Sequence, residues 1–201
     1  NHSRLRPGDI KYRDLNGDGR IDDYDKMPIG FCDIPEITYG FGGAVEWKGF
    51  DVSIFFQGTA RVSIFEEGST IVPFTSGYKN NNGFLKGVME DRWTIDNPNP
   101  NARYPRTIRP SDALDNNNTK KSSFWVRNAA FLRLKNAEIG YTFPKRWVEK
   151  MALQNLRLYV SGVNLLTWAP DVKLFDPELG SGDGRKYPPT RVFNVGLNIN
   201  F

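Results

Sequence analysis

The chain has 201 residues, 39% hydrophobic and 25% charged, with 27 Lys and Arg against 23 Asp and Glu for a net charge of +4. That is the size of one domain with enough apolar material for a core, and no run approaches the roughly 18 apolar residues of a spanning helix. The small positive excess is spread without a block of like charge, so nothing points to nucleic acid; a β-barrel wall stays open, because alternating strands hide from hydropathy averages.

His2 is the only histidine and Cys32 the only cysteine. Ser-His-Asp catalysis, His-rich metal sites and an internal disulfide therefore lack raw material, and Cys32 is expected to be a small, buried or half-buried hydrophobe. No pair of carboxylates stands out by its spacing, so no enzyme is expected. Asn1-His2-Ser3-Arg4 carries no apolar stretch of a signal peptide; a signal, if the protein is exported, lies outside this chain. No repeat of fixed period occurs.

The first motif in chain order is Asp14 to Asp25. It fits a twelve-residue calcium loop, with Asp14, Asn16 and Asp18 at positions 1, 3 and 5 and Gly19 at the sharp bend. The Arg20 carbonyl, Asp22 and Asp25 fall at positions 7, 9 and 12. A hard cation needs six to eight oxygens, and Gly19 permits the bend that would converge them. Position 12 is Asp where a longer, bidentate Glu is usual, and the flanks are not clearly helical. The alternative is an Asx-rich turn that holds no metal. If calcium binds, its role is to rigidify a loop.

Residues 36–47 alternate, with Ile37, Tyr39, Phe41, Val45 and Trp47 on one face and small or polar residues on the other, which predicts a strand. Lys48-Gly49 is a two-residue hairpin signal. Residues 50–65 alternate again, and such a sixteen-residue strand far exceeds the five or six of a usual soluble one. Residues 66–129 read as one long loop, containing Asn80-Asn81-Asn82, the prolines 98, 100, 105 and 110, and Asn116-Asn117-Asn118, with a turn or two of helix at 87–92. Its basic stretch, Arg92 to Arg109, reads as solvated.

Strands resume at 130–143, where Leu132 and Leu134 fall on one face and Ala137, Ile139, Tyr141 and Phe143 on the other. That phase slip fits a β-bulge near Lys135-Asn136 or a change of environment along the strand. A short helical connector at 145–153, a strand at 156–168 and a second loop at 169–190 follow. The last segment places Phe193, Val195, Leu197, Ile199 and Phe201 on one face.

Alternation serves both a soluble β-sandwich and a membrane barrel. The sandwich reading would be a calcium-stabilised carbohydrate-binding module with Trp93, Trp125 or Trp168 as stacking platforms. Two features favour an all-β, antiparallel transmembrane barrel wall: the apolar faces end in aromatics (Trp47, Phe50, Tyr141, Phe143, Trp168, Phe201), and connections alternate short and long.

The runs Gly8-Asp9-Ile10-Lys11-Tyr12-Arg13-Asp14-Leu15-Asn16-Gly17-Asp18-Gly19, Lys48-Gly49-Phe50-Asp51-Val52-Ser53-Ile54-Phe55-Phe56-Gln57-Gly58, Phe131 through Pro144, Val160 through Trp168 and Tyr187-Pro188-Pro189 through Phe201 resemble the C-terminal part of the SusC/RagA family of TonB-dependent outer-membrane transporters. The resemblance implies the last five strands of a 22-stranded barrel that imports glycans or peptides. The implied partners are a SusD-like surface lipoprotein, the plug and remainder of the barrel, TonB and outer-membrane lipid. Residues 1–35, 66–129 and 169–190 would lie outside the cell, 36–65 would form a hairpin, and 130–201 would hold the last three strands. Phe193, Val195, Leu197, Ile199 and Phe201 would form the C-terminal signal read by the barrel-assembly machinery, or simply contact lipid. Five strands cannot close a barrel, whose minimum is about eight, so the chain is expected to have a natural end at Phe201 and an artificial or proteolytic start at Asn1.

Overall fold

Lys48 and Gly49 take positive φ angles of 47° and 88°, the left-handed pair that a type I′ turn requires and that matches the twist of its strands. They join β1 (Ile37–Trp47) to β2 (Phe50–Ala60) in unbroken antiparallel register, from Trp47 opposite Phe50 to Ile37 opposite Ala60. The computed structural model describes residues 5–71, 85–107 and 117–201. His2 with its neighbours, Asn80-Asn81-Asn82, Arg109, Pro110 and Asn116 lie outside the described residues.

The long strand expected at 50–65 is corrected: it stops at Ala60. Arg61 turns left-handed at φ 54°, and its Nε meets Glu36 at 2.6 Å. Beyond it, β3 (Ser63–Phe65) pairs with β4 (Val126–Asn128) in a separate two-stranded sheet. Alternation survives such a kink, because a period of two says which residues share a face and not which strand is the partner.

The main sheet is completed by β5 (Phe131–Thr142), β6 (Asn155–Trp168) and β7 (Val192–Asn200). Its order is β1-β2-β5-β6-β7, with every neighbouring pair antiparallel. The 3-residue turn of helix at Glu149–Met151 follows α2 (Lys145–Val148) in the connector between β5 and β6. The helix expected at 87–92 is α1 (Lys86–Glu90).

The phase slip in β5 is a bulge. Its pairing with β2 steps from Phe55 opposite Asn136 to Phe56 opposite Leu134, leaving Lys135 unmatched. One extra residue in a strand inverts the facing of everything beyond it. Leu132 and Leu134 are thereby returned to the face of Ala137, Ile139 and Tyr141. Strand β6 accommodates the same bulge across Val163 to Leu166, with Asn164 left-handed at φ 55°.

The chain divides into two compact units, one of which holds the five-stranded sheet: Ile34–Val62, Ala129–Leu179 and Lys186–Phe201. The other comprises Asn1–Asp33, Ser63–Asn128 and Gly180–Arg185. Ile10, Ile64, Ile71, Val88, Tyr104 and Trp125 are buried in it, so the described parts of 66–129 are not the unstructured loop expected. Their apolar residues come singly from distant segments, which leaves no period to read. Nor is the basic stretch solvated throughout. Arg103 meets Glu66 at 3.1 Å and Arg106 meets Asp9 at 2.6 Å.

Candidate functional site

The register lines up one face of the sheet residue by residue. Across all five strands run Val45, Val52, Ile139, Val160 and Val195, and beside them Trp47, Phe50, Tyr141, Leu158 and Leu197. Further along stand Phe41, Phe56, Leu134 and Leu166, then Tyr39, Gly58, Leu132 and Trp168. Phe41 and Phe56 stack at 5.2 Å between ring centroids. Most of these side chains are exposed, Val45 at 69% and Val195 at 74%. A sandwich buries one such face against a second sheet. Among the described residues nothing covers this one, and a contiguous exposed apolar face spanning five strands marks contact with something apolar.

The opposite face is polar and carries two charge networks that the alternation alone does not flag. In the first, Arg157 of β6 is paired with Asp51 of β2 and reaches Glu138 of β5 at 2.6 Å, with its guanidinium 5.0 Å from the Tyr159 ring centroid. Three adjacent strands are thus tied through one side chain. The Tyr159 ring lies against Gly196 of β7, where a Cβ would collide with it. In the second, Arg133 of β5 bonds Asp176 through both carboxylate oxygens, at 2.7 and 2.6 Å, and Glu178 at 2.6 Å. These acids sit in the 169–190 loop, so Arg133, 1% exposed, draws that loop onto the polar face. The signal in the sequence is an arginine in the polar phase of an alternating strand, but its partners are set by folding.

The calcium-like loop closes on itself. Asp14 accepts from the backbone N–H groups of Gly17 at 2.6 Å and Gly19 at 2.8 Å. Asn16 and Asp18 cap Asp18 and Arg20 in turn, at 2.9 and 2.8 Å. Asp25 accepts from Leu15 and from Asp22, both at 2.8 Å, joining the end of the loop to its start. These bonds hold the Asp25 carboxyl below the usual carboxylate range, the Asp22 N–H contributing most and the Leu15 N–H next. Among the described residues, no group of three or more His, Cys, Asp or Glu side chains stands together as a metal site; a calcium loop would also draw on the Asn16 amide and the Arg20 carbonyl.

Phe193, Val195, Leu197 and Ile199 lie along the apolar face of β7, and Phe201 follows the strand, 82% exposed. Of the candidate stacking platforms, Trp125 is 3% exposed, and its indole N–H donates to the Asn118 carbonyl at 3.1 Å, so it is a core residue and no platform. Trp93 packs against Gly8, and Trp168 belongs to the apolar face of the sheet. Cys32 is exposed, against expectation, with its Sγ 3.4 Å from an Asp33 carboxylate oxygen. It stands among Gly, Asp and Pro in a loop that offers no core to enter.

No protein-family model matches the chain. It is 32% identical over 211 residues to TonB-dependent receptor P26 of Formosa agariphila, an alignment spanning 96% of this chain and 20% of that protein. Over 204 residues it is 25% identical to TonB-dependent receptor SusC of Bacteroides thetaiotaomicron, spanning 98% of this chain and 18% of that protein. The chain therefore spans about a fifth of the length of the curated relatives it matches. In fold it resembles the RagAB peptide importer in its closed-closed state, with a TM-score of 0.68 and 23% identity over 90% of this chain and 19% of that one. A second RagAB peptide transporter structure gives 0.65 at 22% identity, with the same coverage of both chains.

Proposed function

From membership of the SusC/RagA family of TonB-dependent receptors, to which this chain belongs, we propose that its sheet is part of the wall of an outer-membrane barrel that imports glycans or peptides. In this reading the apolar face meets lipid and the polar face lines the wet interior. The observation that carries it is the five-strand row of exposed valine and isoleucine running from Val45 to Val195. Lys48-Gly49 and the 144–154 connector would face the periplasm, with 66–129 and 169–190 outside. The partners would be a SusD-like lipoprotein at the surface, TonB as the energy source, and the plug and remaining strands of a 22-stranded barrel. Phe193, Val195, Leu197, Ile199 and Phe201 would be read during barrel assembly. The intact protein is expected to fractionate with the outer membrane, to need detergent for extraction and to migrate anomalously until heated. Monodisperse behaviour in plain buffer would refute the wall assignment.

We also propose calcium for the Asp14, Asn16, Asp18, Arg20, Asp22 and Asp25 loop, as a structural ion. The spacing of the oxygens supports it, and so does the closure of Asp25 onto Leu15, which brings position 12 back to position 2, next to Asp14 at position 1. The bound ion would supply charge neutralisation for the four loop carboxylates of Asp14, Asp18, Asp22 and Asp25. A calcium titration that left thermal stability unchanged would remove this proposal.

A further inference from the structure

The apolar face ends, on the side of the short connections, in a chain of rings. Phe50 and Tyr141 lie 4.6 Å apart, Tyr141 and Phe143 5.1 Å, and Phe143 and Trp147 6.4 Å. Trp147 stands on α2 and Trp47 at the end of β1, both exposed. A cation accompanies each. Lys48 Nζ is 4.7 Å from the Trp47 ring centroid, and the Arg146 guanidinium 5.9 Å from that of Trp147. The Thr142 N–H donates to the Gly49 carbonyl at 2.7 Å, which holds the hairpin turn beside the start of the connector. The connector adds Lys145 and Lys150, both exposed, with Glu149 as its one acid. Glu46 alternates to the other face, and Arg157 there answers Asp51 and Glu138. At the opposite end of β1 the charges of Glu36 and Arg61 neutralise each other. The positive excess on the aromatic rim is therefore one-sided.

Indole rings settle at the level of lipid headgroups, where one side of the ring is apolar and the other wet. A lysine or arginine held over such a ring stands at the same depth, and each basic group near a membrane surface favours anionic lipid. We infer that Lys48, Lys145, Arg146 and Lys150, set on the Trp47–Phe50–Tyr141–Phe143–Trp147 rim, form a headgroup site selective for anionic phospholipid in the leaflet that the short connections face. The occupant is a phosphate ester tethered to acyl chains, because the rim continues without a break into the apolar face that those chains would lie along. This site rests on the barrel-wall reading and adds a lipid class to it.

The test uses the intact transporter carrying this chain, purified in nonionic detergent. Bound lipid is counted by native mass spectrometry after titration with phosphatidylglycerol or phosphatidylcholine. Phosphatidylglycerol is expected to be retained in preference, and each basic side chain replaced among Lys48→Gln, Lys145→Gln, Arg146→Gln and Lys150→Gln is expected to lower that preference roughly fivefold. The charge-keeping variants Lys48→Arg, Lys145→Arg and Lys150→Arg should retain it, which separates loss of charge from a failure to fold. Inorganic phosphate at equal concentration should leave the lipid bound; displacement by phosphate would overturn the lipid assignment in favour of a free-anion site. Equal retention of the two lipids by a protein that needs detergent would overturn this inference alone, whereas a protein soluble without detergent would overturn the wall reading beneath it.

Discussion

Arg133 and Asp176 are joined by one terminal guanidinium nitrogen that meets both carboxylate oxygens, at 2.7 and 2.6 Å, across 43 residues of sequence. The arginine belongs to a strand and the aspartate to a loop, so this contact and its neighbour to Glu178 decide where the loop rests. Replacing Arg133 with Met leaves two carboxylates without their cation. Breaking a buried pair from one side costs about 3–5 kcal/mol, and partial exposure of both acids puts the expectation at the lower end. Part of that cost is relieved by freeing the loop into water. Limited proteolysis should therefore cut within 169–190 in Arg133→Met well before the wild type, while Arg133→Lys, which keeps charge and loses the fork, should fall between them.

Glu66 is fully buried in the other unit, where Arg127 meets it at 2.8 Å and Arg103 at 3.1 Å. Tyr104 donates its hydroxyl to Glu66 at 3.4 Å and accepts from Arg103 at 3.3 Å. Burial, and then the charge of Glu66, push the Tyr104 phenol up to about 12. A folded value above the unfolded one of about 10 means that the neutral phenol favours the fold below that pH. The contribution then fades as pH rises towards 12, because the unfolded chain ionises first. Wild type should lose more stability than Tyr104→Phe between these limits, as read from urea midpoints at successive pH values. Glu66→Gln should be worse than either at neutral pH, since it strands two guanidiniums at a cost of about 3–5 kcal/mol.

Much of the sheet was legible because alternation reports facing directly, and the Lys48-Gly49 turn announced its own geometry. The slip between Leu134 and Ala137 was legible too, but not its cause: a change of environment along the strand would read the same, and only the register with Lys135 unmatched makes it a bulge. What alternation cannot report is partnership. Ile64 continues the pattern of Ile54 without interruption, yet it is buried in a different sheet, opposite Arg127. Nor can local pattern show a core assembled from Ile10, Ile71, Val88 and Trp125, each alone in its segment. The same limit hid the ion pairs: Asp51 and Arg157 are 106 residues apart, and only the register of three strands brings them together. The apolar face was readable for the opposite reason, because every strand states it separately.

The Asp14–Asp25 loop makes a prediction in acid. Asp25 is held below the ordinary carboxylate range by the N–H groups of Asp22 and Leu15. A depressed folded value means that the closure is present above the unfolded pKa and is lost as pH falls through the folded one. The protection of the Leu15 and Asp22 amides, measured against their intrinsic exchange rate at each pH, should hold at neutral pH and fall in acid. Asp25→Asn should show fast exchange at neutral pH already. Calcium, if bound, should slow exchange further and raise the thermal midpoint, and Asp14→Ala should abolish that response.

Val160 and Ser161 are neighbours in sequence and opposites in environment, which makes them the sharpest test of what covers the sheet. Val160 lies between Ile139 and Val195 on the apolar face, and Ser161 between Glu138 and Asn194 on the polar one. An arginine facing lipid costs about 2–4 kcal/mol at mid-membrane and less towards the interface, near which Val160 stands one row from Leu158 and the aromatic rim; one facing a wet interior costs least. At position 161 the new cation would also stand beside Glu138. Val160→Arg should therefore reduce the heat-modifiable, outer-membrane-assembled form of the intact protein severalfold, with Ser161→Arg near wild type. Were the apolar face covered by protein, Val160→Arg would instead act like any buried charge and leave a water-soluble, misfolded product. Were both substitutions tolerated alike, neither lipid nor protein would touch Val160, and the assignment of the two faces would fall with it.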